Sequence, residues 1–151
     1  MQEIGGRRLK RSVHIKQGTI RFVRPEEIEN LEKIEYISDH VKSRIIEIDK
    51  YNKEHSVDKS LLINGRNLTN IGLYRQYIYN YLKSHPHVHR ELLLIVRQLQ
   101  PNEKGMPLEL YFFTATTVWV EYEAIVSDIF DHITAAATYF DLELFEDLSN
   151  D

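Results

Sequence analysis

The C-terminal part of the chain contains short apolar runs on both sides of one long stretch with helical spacing. Three groups of apolar residues are too short to form helices: residues 92–96, residues 108–113, and Leu142, Leu144 and Phe145. Before the last group, apolar residues recur every three or four positions and form one helical face about 100° wide. These residues are Trp119, Tyr122, Val126, Ile129, Ile133, Ala136 and Phe140. The pattern predicts strand, strand, helix, strand.

The N-terminal half predicts one strand and two helices. Apolar and polar residues alternate over residues 12–16, which predicts a half-buried strand that residues 19–23 could continue. From Pro25 to about Glu54 the apolar spacing is near-helical and predicts a helix roughly 40 Å long, unless it breaks near residues 38–39. Residues 55–68 are loop-like, with a turn at residues 64–65. Thr69 or Asn70 can cap the next helix, which ends near Pro86.

These elements predict an α+β domain. Without the excursion of about residues 24–66, the order is that of a ferredoxin-like βαββαβ fold, an antiparallel sheet with both helices on one face. We therefore expect a connector over residues 1–11, a single domain over residues 12–146 with a long helical insertion after its first strand, and an acidic tail over residues 147–151.

Composition limits the possible functions. The 151 residues, 42% of them hydrophobic, suit one core, and a net charge of -4 provides no general attraction for nucleic acid or an anionic membrane. Without cysteine there is no disulfide, thiol nucleophile or Cys-ligated zinc, which fits a reducing compartment. The longest apolar run has five residues, far below the ~20 that a membrane-spanning helix needs, and no signal-peptide core is present. We expect the polypeptide to be soluble as given.

Three histidines alternate in the connector after the second helix. His85, His87 and His89 would share one face of an extended segment, and with the nearby Glu91 they could present ligands to zinc or nickel. Pro86 lies among them, and its simplest role is to stop the preceding helix. The favoured interpretation is a plain connector, so no metal, cofactor or catalytic residue is predicted.

Aromatic residues on the predicted central strand suggest a second candidate surface. Tyr111 and Phe113 should lie on the sheet face opposite Leu110 and Phe112, where RNA-recognition sheets stack bases. The glycine and basic residues that mark those RNA-binding modules are missing from residues 108–114. A contact between subunits, or cover by the extra helix, is the favoured use of this face.

The remaining polar residues carry weak functional signals. Gly105 suits a turn rather than a phosphate-binding loop, and Trp119 is expected in the core below a cap from Thr116 or Thr117. Two sets of charged side chains are most simply interpreted as solvent-exposed groups. The basic set could also contact lipid headgroups or a neighbouring subunit. The acidic set is Glu26, Glu27, Glu29, Glu121, Glu123, Asp128 and Asp131; the basic set is Arg7, Arg8, Lys10 and Arg11.

Five sequence runs together resemble one known family. They are GGRRLKRS from residue 5, LTNIGLYRQYIYNYLKSHP from residue 68, VRQLQP from residue 96, GMPLELY from residue 105 and EYEAIVSDIFDH from residue 121. The set is similar to the cytoplasmic end of mechanosensitive channels of the small-conductance family and is closest to the miniconductance branch.

This resemblance implies a fragment of a homo-oligomeric, usually heptameric, tension-gated ion channel that acts in osmotic protection. The domain would help to form a vestibule on the cytoplasmic side of the bacterial inner membrane, reached through upstream helices, without catalysis, nucleic acid or a known small-molecule ligand. Residues 146–151 are too short and acidic for the terminal barrel strand of some relatives. Two alternatives remain: a stand-alone ferredoxin-like ligand-sensing regulatory domain, and an enzyme built on the cluster from His85 to Glu91.

Overall fold

A computed structural model of the chain describes residues 5–147 and shows a mixed helix and strand, α+β, architecture. The remaining residues of the predicted connector, 1–4, and of the predicted acidic tail, 148–151, lie outside this described part. Short 3-10 helices cover Gln17–Thr19, Pro25–Glu27, Glu35–Ile37 and Ala137–Phe140. The regular elements are β1 (Arg8–Ile15), α1 (Ile28–Leu31), α2 (Ser38–Glu54), α3 (Asn70–Ser84), β2 (Ile95–Gln98), β3 (Met106–Phe113) and α4 (Trp119–Ala136).

The three strands form one antiparallel sheet in the order β1-β3-β2. The central strand, β3, turns Leu108, Leu110 and Phe112 toward the helices, and each of the three has 0% exposure. The predicted strand at residues 108–113 is therefore confirmed. The turn before it is also confirmed, because Gly105 has a φ of +100°, a value that residues other than glycine rarely adopt.

The other predicted strands differ in extent. β1 begins at Arg8 rather than Ser12, so residues 8–11, assigned above to a connector, pair with residues 110–113. β2 covers Ile95–Gln98 instead of residues 92–96, because the hydrogen-bonding register with β3, from Tyr111 to Leu108, determines which residues pair. Residues 19–23 form no strand, and Phe22 makes only a single bridge with Thr69.

The predicted fourth strand is reduced to one bridge. Leu144 pairs with Ile15 at the free edge of β1, and Phe145 N donates to His14 O at 2.8 Å. The helical segment ends at Phe140, and Asp141 has a left-handed φ of 56°, so only a few residues remain to pair. The described sheet consequently has three strands rather than the expected four.

The excursion is not one continuous helix. Ile34 has an extended ψ of 106°, which separates α1 from α2, and α2 begins at Ser38, near the break point considered above. The bend places the ring of Tyr36 5.7 Å from that of Tyr77 on α3. Val41 of α2 has 0% exposure. The excursion therefore packs on α3 of its own chain.

Helix α3 is joined to α4 as well as to the excursion. The Thr69 side chain accepts from Gly72 N at the start of α3, which confirms the predicted cap. The Tyr74 hydroxyl donates to the Ile133 carbonyl of α4 at 2.6 Å. The predicted apolar face of α4 is confirmed for five residues that are buried: Val126, Ile129, Ile133, Ala136 and Phe140.

The prediction that Trp119 is a core residue is wrong, because its side chain is 60% exposed. The hydroxyl of Tyr122, almost one turn later, donates to the carbonyl of Arg8 at 3.1 Å, and Arg8 is the first residue of β1. The first turn of α4 therefore extends past the end of the sheet, where no core lies beneath it. The predicted threonine cap also differs, since Val118 is the N-cap residue and Thr116 accepts a hydrogen bond from its N–H.

Candidate functional site

One face of the sheet carries aromatic and basic side chains. The strand register places Tyr111 between Lys10 of β1 and Ile95 of β2, on the face opposite Leu110. The rings of Tyr111 and Phe113 meet edge to face, with centroids 5.8 Å apart. The predicted orientation of these two aromatic residues is confirmed. The excursion contacts α3 instead of this face. The predicted cover of the sheet face by the extra helix is therefore not formed within the chain.

The same face holds a buried carboxylate. Glu109 is only 5% exposed, and its Oε1 accepts from Nε of Arg97 at 3.0 Å. The register pairs these two residues across β2 and β3, so the contact is a direct cross-strand ion pair. Because Glu109 already has its partner, this carboxylate stabilises the sheet and is not free to act as a general base.

An exposed apolar patch lies at the end of the sheet where β1 begins. We define the Trp119 patch as Val118, Trp119 and Val120, which are 52%, 60% and 72% exposed. Tyr122, on the same helix, connects this end of α4 to β1. The guanidinium of Arg7 lies 5.0 Å from its ring centroid, and its hydroxyl donates to the carbonyl of Arg8. An exposed tryptophan next to other apolar side chains is the type of side chain that anchors protein interfaces.

The part of the chain with these features matches a known family. Residues 65–144 match the model described as mechanosensitive ion channel MscS, C-terminal, and this segment is more than half of the 151 residues. The chain belongs to the mechanosensitive ion channel MscS family. The match contains α3, β2, β3 and α4, so it includes two of the three strands and the Trp119 patch. It confirms the family resemblance drawn from the sequence runs.

The MscS family consists of ion channels rather than enzymes, and the channels are commonly oligomeric. Helices that could cross a bilayer are not found within residues 5–147. The excursion that contains α1 and α2 precedes the matched segment. The family match therefore says nothing of α1 and α2, nor of β1 and the other residues before residue 65.

The three histidines of the connector do not gather around a common point. Backbone N–H groups donate to Nδ1 of His85, from His87 at 3.1 Å, and to Nδ1 of His89, from Glu91 at 3.2 Å. Burial, followed by the nearby His87, lowers the pKa of His85, which favours its neutral form. Within residues 5–147 no three His, Asp or Glu side chains form a group that could hold a metal ion.

The acidic residues considered above do not form a catalytic pair. All except Glu27 lie exposed on the surface. Glu27 accepts two hydrogen bonds from Arg21, at 2.8 and 2.7 Å, and these bonds together with that from Arg24 N lower its pKa to about 2. Nothing in this geometry provides a pair of carboxylates in different environments, as acid and base catalysis requires.

A cluster of aromatic rings between α3 and α4 was not predicted from the sequence. The hydroxyl of Tyr77 lies 2.7 Å from Nε2 of His132, and the His132 ring stacks on Tyr81 with centroids 4.1 Å apart. Burial raises the pKa of Tyr81 to about 12. The only sequence signal was the tyrosine repeat at positions 74, 77 and 81, which predicts a helix face but not its partner.

The sequence indicated Asn70 only as a possible helix cap, but the structure gives it a larger role. Asn70 is 3% exposed and joins three segments through its amide group. Its Nδ2 donates to the carbonyls of Thr19 and Phe140, both at 2.9 Å. Its Oδ1 accepts from the N–H groups of Arg21 and Ile71, also both at 2.9 Å. No local pattern could have identified these distant partners.

Proposed function

We propose that this chain is the C-terminal portion of a tension-gated mechanosensitive channel subunit of the miniconductance branch. In this proposal it contributes to a vestibule on the cytoplasmic side of the bacterial inner membrane and to homo-oligomer assembly, as a heptamer, for osmotic protection. It performs no catalysis. The family match over residues 65–144 carries the proposal.

The strand arrangement supports the finer description of the fold. The order β1-β3-β2, with all pairs antiparallel and Leu144 bridged to the outer edge of β1, is compatible with a ferredoxin-like sheet whose last strand is reduced to one bridge. We propose one domain that begins with β1 at Arg8, four residues before the predicted boundary at residue 12, and extends to residue 146, followed by an acidic tail.

The experiment that tests the function uses the complete gene product. The open reading frame that encodes these residues is expressed in cells lacking their own mechanosensitive channels, and excised membrane patches are stretched by suction. We expect ion currents that open only above a threshold tension. A full-length product that reaches the membrane but passes no current at any tension below patch rupture would refute the proposal.

The Trp119 patch is the part of the surface that we propose as a subunit contact. It is apolar, ordered and exposed in the single chain, and burying it in an interface would remove three apolar side chains from water. Replacing Trp119 with lysine would place a charge in that contact. Tyr139, which is 77% exposed on the segment after α4, provides a matched aromatic control.

The assembly test compares Trp119→Lys with Tyr139→Lys in the full-length product, by measuring particle mass in detergent. We expect Trp119→Lys to shift the population from the assembled particle to smaller species and Tyr139→Lys to leave it unchanged. Equal assembly of both variants would show that the Trp119 patch is not a subunit contact.

A further inference from the structure

A polar cavity of about 290 Å³ lies between α2 and α3. Its walls come from two different parts of the chain, since α2 belongs to the excursion and α3 to the family-matched segment. His40 and Arg44 are four residues apart on α2 and therefore share one face of that helix. The polar side chains that line the cavity are His40, Arg44, Asn67, Thr69, Arg75 and Gln76.

Positive charge exceeds negative charge around this cavity. Arg44 contacts Oε2 of Glu47 at 3.1 Å, while Oε1 of the same carboxylate contacts Arg66 at 3.0 Å. Arg75 forms no ion pair with any residue between 5 and 147. One carboxylate is thus shared by two guanidinium groups, and the guanidinium of Arg75 has no counter-ion within residues 5–147, in a chain whose net charge is -4.

The nearby positive charges affect the pKa of His40. Burial lowers its pKa, and the charges of Arg44 and then Arg75 lower it further. Arg44 of α2 and Arg75 of α3 both line the same cavity as His40, and this shared lining is what brings the two guanidinium groups to one place. The imidazole is neutral at neutral pH and would gain a proton more easily if an anion were bound beside it.

The start of α3 offers no free backbone donor to a ligand. The N–H of Ile71 donates to Asn70 Oδ1, that of Gly72 to Thr69 Oγ1, and that of Leu73 to Thr69 O. The N-terminus of α3 is therefore not available to an anion, and the guanidinium groups of Arg44 and Arg75 are the permanently charged donors that line the cavity. This distinguishes the cavity from the usual anion site at a helix N-terminus.

We propose that the cavity between α2 and α3 binds a small phosphate-bearing anion through Arg44 and Arg75, with His40 as a further donor. Two planar guanidinium forks from separate helices suit the several oxygens of a phosphate group. A carboxylate can also meet two arginines, as Glu47 does, but a phosphate group carries more acceptor oxygens and more negative charge for the same two forks. The bound anion would join the excursion to α3, which makes the packing of the excursion sensitive to phosphate compounds.

Calorimetric titration of the 151-residue chain with inorganic pyrophosphate tests the proposal. The variants are Arg44→Gln and Arg75→Gln, and the control is Lys42→Gln, which removes the same charge from an exposed position of α2 outside the cavity. We expect saturable binding by the parent chain. Each arginine variant should bind about tenfold or more weakly, whereas the control should stay within about twofold of the parent.

A second measurement, the pKa of His40, tests whether the anion binds in this cavity. The His40 ring is titrated by NMR with and without pyrophosphate, and its pKa should rise when the anion is bound. Thermal melts of each variant establish that loss of binding is not loss of folding. Absence of saturable binding, equal weakening in all three variants, or a His40 pKa that pyrophosphate does not change would overturn the proposal.

Vesicles distinguish a free phosphate compound from a lipid headgroup. Phosphatidylcholine vesicles with and without phosphatidic acid are sedimented with the parent chain and with Arg75→Gln. Pyrophosphate binding without vesicle binding supports a free ligand. Vesicle binding that requires both phosphatidic acid and Arg75 supports a headgroup at the same site, and vesicle binding unchanged by Arg75→Gln counts against the site. These outcomes do not depend on whether the channel assembles or conducts.

Discussion

Replacing Asn70 with alanine should destabilise the fold more than any other loss of a single polar side chain discussed here. The amide of Asn70 connects the start of α3 to the segment after β1 and to the end of the helical segment after α4. The alanine side chain can donate and accept nothing. Two carbonyl groups and two N–H groups would lose their partner at once.

The magnitude follows from burial. A typical hydrogen bond contributes about 1 kcal/mol net, and an abandoned buried partner costs about 1–3 kcal/mol. The Phe140 carbonyl bond is fully buried, whereas the bonds to Thr19 and Arg21 are partly buried and open to some replacement by water. We therefore expect the free energy of unfolding to fall by about 3–5 kcal/mol, a large effect for one substitution.

Urea denaturation followed by circular dichroism measures this loss. The midpoint should fall while the slope of the transition stays constant, because the surface exposed on unfolding changes little. Asn52→Ala provides an intermediate case, since its side chain makes two hydrogen bonds to the backbone of Arg66. Asn30→Ala is the control, because Asn30 is exposed on α1 and should change stability by less than about 0.5 kcal/mol.

The reasoning would be refuted by an Asn70→Ala variant as stable as the Asn30→Ala variant. That result would mean that water replaces the amide at every partner, including the carbonyl of Phe140. A reduced slope would instead indicate a change in the denatured or native state, and the free-energy comparison would no longer apply.

Three further predictions concern the helix face, the sheet and acid stability. Ile129→Ala and Ile133→Ala should each lower the free energy of unfolding by about 2–5 kcal/mol, whereas exposed Trp119→Ala should cost less than about 1 kcal/mol; similar thermal melts for all three would contradict the assigned face. Arg97→Ala should cost about 1–3 kcal/mol by leaving Glu109 unpaired, and adding Glu109→Gln should restore part of the loss in a double-mutant cycle. Because Arg21 lowers the pKa of Glu27 from 4.5 to about 2, the stability from this pair is present above pH 4.5 and lost as the pH falls toward 2. Glu27→Gln should weaken the acid dependence of urea denaturation in that window, and an unchanged dependence would argue against the pair.

Deleting the excursion should lower the free energy of unfolding, because the excursion contributes buried residues and covers one side of α3. In the structure, Ile37 and Val41 have 0% exposure, and Asn80 of α3 donates to the carbonyl of Tyr36 at 2.7 Å. Removing the excursion would expose one side of α3, so its burial argues for an effect on folding.

The sequence by itself determined the features that depend on neighbouring residues. The spacing from Val126 to Phe140 identified the buried face of α4, Thr69 identified the start of α3, and Gly105 identified the turn before β3. These features follow from helical periodicity, from the cap that the first N–H groups of a helix need, and from the φ angles open to glycine. The sequence runs also identified the family, which the match over residues 65–144 confirmed.

Only the tertiary structure decided which distant residues meet. The pairing of β2 with β3 shifted the strand toward Gln98, and a single bridge replaced the fourth strand. The end of the sheet left Trp119 exposed, and the packing of the excursion on α3 brought Arg44 and Arg75 to one cavity. Each of these contacts joins residues that are far apart in the chain. Their geometry depends on how whole elements pack, which the local pattern of apolar and polar residues does not encode.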